Sequence, residues 1–83
     1  MKKSVLIKTE NSFCIESWTD VENFWEKENF NFLPIGIIMK RLNENEEKKF
    51  SRNHTYGNAF YKIHFPSIGE FGVLGDKEFK TIK

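Results

Sequence analysis

Between Ala59 and Pro66 the chain alternates without a break. Tyr61, Ile63 and Phe65 fall on one side of an extended strand, and Phe60, Lys62 and His64 on the other. Pro66 ends the run, because it has no N–H to give to a ladder. Such a strand is not stable alone. It needs partners in a sheet and a cover over its apolar side, so it commits the chain to a sheet-based fold.

Other segments supply the partners. Ser4–Thr9 carries Val5-Leu6-Ile7 and reads as a strand. Glu10-Asn11-Ser12 reads as a turn into Phe13-Cys14-Ile15, which predicts an opening hairpin. Gly36–Leu42 reads as a strand whose Ile37-Ile38-Met39 suits a central position. Phe71–Leu74 and Lys77–Ile82 read as a closing hairpin turned at Gly75-Asp76.

One helix is expected. Thr19-Asp20-Val21-Glu22 has the form of a capping box, and Val21, Phe24, Trp25 and Glu28 follow at spacings of three and four. This predicts about ten helical residues ending near Asn29, docked on the sheet through Phe24 and Trp25. Asn43–Lys49 is either a loop or a single exposed helical turn. The expected fold is α+β: one short helix packed on a small, mostly antiparallel sheet of about four to five strands, in the order ββαβββ or close to it.

A chain of 83 residues supports one domain, residues 1–83. At this size only about 60–65% of the unfolded surface is buried, so the core depends on large side chains. Nine Phe, two Trp and two Tyr supply them. The single cysteine, Cys14, cannot form an internal disulfide, which favours a reducing, cytoplasmic setting. Its neighbours Phe13 and Ile15 suggest a small buried hydrophobe rather than an activated thiolate. No apolar run approaches the roughly 20 residues of a membrane span, and no membrane association is expected. Lys, Asn, Ile, Phe and Tyr, whose codons are AT-rich, make up 38 of the 83 residues. That bias points to an AT-rich genome, such as a low-GC bacterium or one of its phages.

Net charge is +1, but it is unevenly placed. Acids dominate from Glu10 to Glu47, whereas Lys48 to Gly69 holds four basic residues, both histidines and no acid. Enzyme signatures are missing: there is no phosphate loop, no dinucleotide fingerprint, no Cys-x-x-Cys and no His-Glu-x-x-His. His54 and His64 have no neighbouring carboxylates to complete a metal site, so no metal and no cofactor are expected.

Three functional readings follow. The leading one is a non-catalytic interaction protein, an inhibitor or regulator of another macromolecule encoded by a phage or mobile element. It would meet a protein partner through an acidic helix face carrying Glu22 and Glu26. The second is an RNA- or single-stranded-DNA-binding protein, because Lys48, Lys49, Arg52 and Lys62 interleave with Tyr56 and other aromatics over residues 48–62. The third is a minimal metal-free ribonuclease using His54 and His64 as an acid–base pair. Exposed strand edges leave monomer and homodimer evenly balanced.

Overall fold

The alternating strand is the middle of the sheet. The computed structural model describes residues 4–10, 14–20, 23–26, 35–50, 55 and 57–82. Its elements are β1 (Val5–Thr9), β2 (Cys14–Ser17), β3 (Phe24–Glu26), β4 (Ile35–Arg41), α1 (Glu44–Lys49), β5 (Phe60–Phe65), β6 (Glu70–Gly75) and β7 (Phe79–Thr81). The seven strands form one sheet in the order β3-β2-β6-β5-β4-β1-β7. Every pairing is antiparallel. Among the described residues this is a small α+β domain with one short helix, but its strands outnumber the four or five expected.

The sheet cannot be flat. β6 and β7 stand four places apart in the ladder, which at ~4.8 Å per strand would separate them by about 19 Å. Four residues from Gly75 to Phe79 reach at most ~14 Å. The link is in fact a tight turn, since the Glu78 N–H donates to the Gly75 carbonyl at 2.9 Å. The sheet therefore rolls, carrying β1 and β7 back over the inner side of β5. The rings of Tyr61 and Phe79 meet edge to face across that fold, with centroids 5.7 Å apart.

Two glycines let the layers close. A Cβ at Gly36 would overlap the Ile63 side chain, and one at Gly72 would sit 2.6 Å from Ile15 Cγ2. Inside the roll, Ile7, Ile15, Ile63, Phe65 and Leu74 form a fully buried core ringed by Trp25, Ile38, Ile68 and the Tyr61–Phe79 pair. On the outer side, Leu42, Phe50, Phe60 and Val73 make a second cluster with Trp18 at its margin.

Helix α1 is the single exposed turn that Asn43–Lys49 allowed. Its capping box is complete: Asn43 Oδ1 accepts from the Glu46 N–H at 2.9 Å, and Glu46 Oε1 accepts from the Asn43 N–H at 3.0 Å. None of its own residues is buried. Phe50, immediately after it, is the plug that anchors it.

Several expectations are corrected. No helix occupies residues 23–26: Phe24–Glu26 is strand β3, with Trp25 opposite Ile15 on β2. The Thr19 region is a turn instead, in which Ser17 Oγ accepts from the Asp20 N–H and the Asn23 N–H bonds to the Asp20 carbonyl. Trp25 is half-buried against Phe65 and lies on a strand rather than on the face of a helix. β1 pairs with β4 and β7 rather than β2, so there is no opening hairpin. β6 and β7 do not pair either, because the roll sends β7 to β1. Cys14, expected to be buried, is exposed. Among the described residues no helix is long and apolar enough to cross a membrane.

Candidate functional site

The outer side of β5 presents Lys62 and His64, as its alternation requires. The register with β6 sets Lys62 opposite Val73 and His64 opposite Phe71. The His64 and Phe71 rings lie 4.6 Å apart and tilted by 31°. Beyond β6, the Trp18 N–H donates to the Phe71 carbonyl at 2.9 Å, which brings the residue after β2 into the same row.

On the other flank, β4 carries an irregularity between Ile38 and Lys40. Ile38 faces Ile63 on the core side, and one extra residue, Met39, intervenes before Lys40 pairs with Lys62. Unbroken alternation would have aimed Lys40 into the core. The bulge instead turns it to the outer face, directly opposite another lysine.

These side chains converge on aromatic rings. Lys62 Nζ lies 4.6 Å from the Trp18 ring centroid and 4.7 Å from that of Phe71. Lys40 Nζ is 5.8 Å from the same Trp18 ring. Trp18 in turn stacks on Phe50 at 5.2 Å, and Lys49 Nζ is 5.6 Å over Phe50. Like charges facing each other across a ladder are destabilising. Here the π faces offset that cost, as does Glu46, whose Oε2 is 2.8 Å from Lys40 Nζ. The Lys40 ammonium holds the Glu46 carboxyl below the usual carboxylate range, helped by the Asn43 N–H.

The expected site residues are partly gathered here. Lys62 is central, and Lys49 reaches the edge of the cluster through Phe50. Lys48 is exposed on α1. Arg52, Tyr56, His54 and Glu22 lie outside the described residues. Glu26 sits in β3 opposite Cys14, so over residues 23–26 there is no helix face to present it. Trp18, Phe71 and Lys40 were not anticipated as site residues. The outward phase of Lys62 was visible in the sequence, but the β5–β6 register and the β4 bulge, which deliver the other three, have no local signature.

Among the described residues, no three His, Cys, Asp or Glu side chains gather as a metal site would require. The arrangement is suited to binding: lysine ammonium groups resting on aromatic faces on the outer side of the sheet. No protein family, curated protein or solved structure matches this chain.

Proposed function

We propose that this chain is a non-catalytic binding module that takes single-stranded nucleic acid on the outer face of its sheet. The observation that carries the reading is the convergence of Lys40 and Lys62, from facing positions on β4 and β5, upon the indole of Trp18. A single strand offers both of the things such a cluster lacks, phosphates for the ammonium groups and base planes for the rings. When a base stacks on Trp18 it takes the place of Lys62, whose ammonium is released to the adjacent phosphate. Phe71, beneath the same lysine, offers a second platform.

The expected strength is modest. Stacking contributes about 1–3 kcal/mol per base, and three lysines give a log–log salt slope of about −2 on a single strand. The regulator reading rests mainly on small size, segregated charge and missing enzyme signatures, and over residues 23–26 the acidic helix face it would use is a strand. Titrating a labelled 20-nucleotide strand at two salt concentrations tests the proposal. Salt-sensitive binding that weakens in a Lys40→Ala/Lys62→Ala double variant supports it. No binding at tens of micromolar in low salt, together with a protein partner that survives nuclease during affinity purification, returns the chain to the regulator class.

A further inference from the structure

The aromatic row does not stop at His64. Phe71, His64, Ile37 and Leu6 are successive partners across β6, β5, β4 and β1, so their side chains share one face in one line. The line continues to Ile82, whose N–H donates to the Leu6 carbonyl at 2.8 Å, and begins at Trp18. It runs at right angles to the strands. Its far half is open: Leu6 is 41% exposed, Ile82 42% and Ile35 46%.

Beside this apolar half stands a second facing pair of lysines, Lys8 on β1 and Lys80 on β7, with Ile35 opposite Lys8 on the other side. Strands β1, β4, β5 and β7 contain no Asp or Glu. Glu10, just after β1, reaches Lys80 Nζ at 3.7 Å as Glu46 reaches Lys40, and a bound phosphate displaces each. Two lysine pairs thus bracket one apolar line, Lys40 and Lys62 at its aromatic end, Lys8 and Lys80 at its aliphatic end.

We infer that this whole line is the track of the bound strand, with Lys8 and Lys80 holding the phosphates at the far end. The inference rests on the single-strand reading and extends it in length. Charge complementarity selects the occupant. A second copy docking by twofold symmetry would set lysine pair against lysine pair, whereas a polyanion neutralises both pairs and covers the apolar line with bases and sugars. Five ladder steps from Trp18 to Ile82 follow an arc of about 24 Å along the outside of the roll, at ~4.8 Å each. At a stacked rise of ~3.4 Å that length holds about seven nucleotides, while the Trp18–His64 end alone holds about three.

Oligothymidylates of increasing length test this on the whole chain, read by tryptophan fluorescence with circular dichroism as a fold control. Wild-type affinity should rise with length to about seven nucleotides and then level off. Lys8 and Lys80 are exposed, so Lys8→Ala/Lys80→Ala should leave the fold and the affinity for a trinucleotide unchanged, and should level off at about three to four nucleotides. If the double variant keeps the wild-type length profile while the long oligonucleotides still bind, the extended track is wrong and the Trp18 site stands. If Leu6→Ser changes the sedimentation of the protein, or its pelleting with phosphatidylserine vesicles, and leaves the length profile untouched, the aliphatic end serves a second copy or a bilayer and the inference falls. Absence of binding at every length overturns both the track and the reading beneath it.

Discussion

Lys62 Nζ lies 4.6 Å from the centroid of the Trp18 ring, although one residue comes from the middle strand and the other from the turn after β2. The contact exists because β6 lies between them, pairing with β5 on one edge and β2 on the other. An ammonium held over a ring is poorly neutralised and ready to exchange one partner for another. Lys40→Ala/Lys62→Ala should therefore reduce the magnitude of the oligonucleotide salt slope by about 1.4, two single-strand phosphate contacts at ~0.7 each. Fluorescence titration at a series of salt concentrations measures it directly, and an unchanged slope would mean that neither lysine meets phosphate.

Glu46 competes with phosphate for Lys40. Its carboxylate accepts from Lys40 at 2.8 Å, so Glu46→Gln should leave Lys40 freer and tighten binding by a few fold at low salt. The pH dependence has a definite sign. The folded-state value of Glu46 is lowered, so whatever this pair contributes is fully present above the ordinary glutamate value of about 4.3 and is lost as pH falls through the lower folded value. Helical signal from α1 should hold from neutral pH down to that region in the wild type, and Glu46→Gln should remove the acid-induced loss.

The strands were largely legible, α1 was one of two readings of Asn43–Lys49, and the helix expected to run to Asn29 is a strand over Phe24–Glu26. β5 announced itself through alternation, and the core faces of Ile63 and Phe65 followed from it. The turn at Thr19-Asp20, where a helix start was expected, has a physical origin. Ser, Thr and Asp oxygens that cap helices also stabilise tight turns, and Ser17 Oγ does the latter by accepting from the Asp20 N–H. The box that forms uses Asn43 and Glu46, where the motif has Asn in place of Ser or Thr. Trp25 looked like a helix-face residue because its spacing from Val21 is four. Its position is set by the ladder opposite Ile15 and by the space above Gly72, both of them tertiary facts. Pairing partners were illegible for the same reason: rolling the sheet separates neighbours in sequence, β6 from β7 and β1 from β2.

The cap at Asn43 is separable from the binding face. Its side chain closes the first turn of a helix of 6 residues that buries nothing of its own. Asn43→Ala should cost about 1 kcal/mol, read as a lower urea midpoint with an unchanged m-value. Because Phe50 is held mainly by Leu42, Phe60, Val73 and Trp18, trinucleotide affinity should change less than twofold. A large loss of affinity would show that α1 itself belongs to the interface.

Gly72 constrains the roll where β2 and β3 meet β6. It lies on β6 opposite Ile63, on the core side, and a Cβ there would stand 2.6 Å from Ile15 Cγ2, 2.8 Å from Trp25 Cζ3 and 3.1 Å from the Glu16 carbonyl oxygen. Neither Ile15, which is fully buried, nor the strand backbone has room to retreat. Gly72→Ala should destabilise by about 1–3 kcal/mol, a large share of the ~4–12 kcal/mol that a domain of this length holds. It should also alter the tryptophan emission, because Trp25 must move. Gly69→Ala is the control: its φ is 66° but nothing lies within 4 Å, so the cost there is backbone strain of about 1 kcal/mol, without a change in emission. Steric origin is then confirmed by a double-mutant cycle. Ile15→Ala removes the atom that Cβ would strike, and in that background Gly72→Ala should cost clearly less than in the wild type, a coupling of at least ~0.5 kcal/mol. Strictly additive losses by urea unfolding would mean that Gly72 is required for some reason other than the approach of β2 and Trp25.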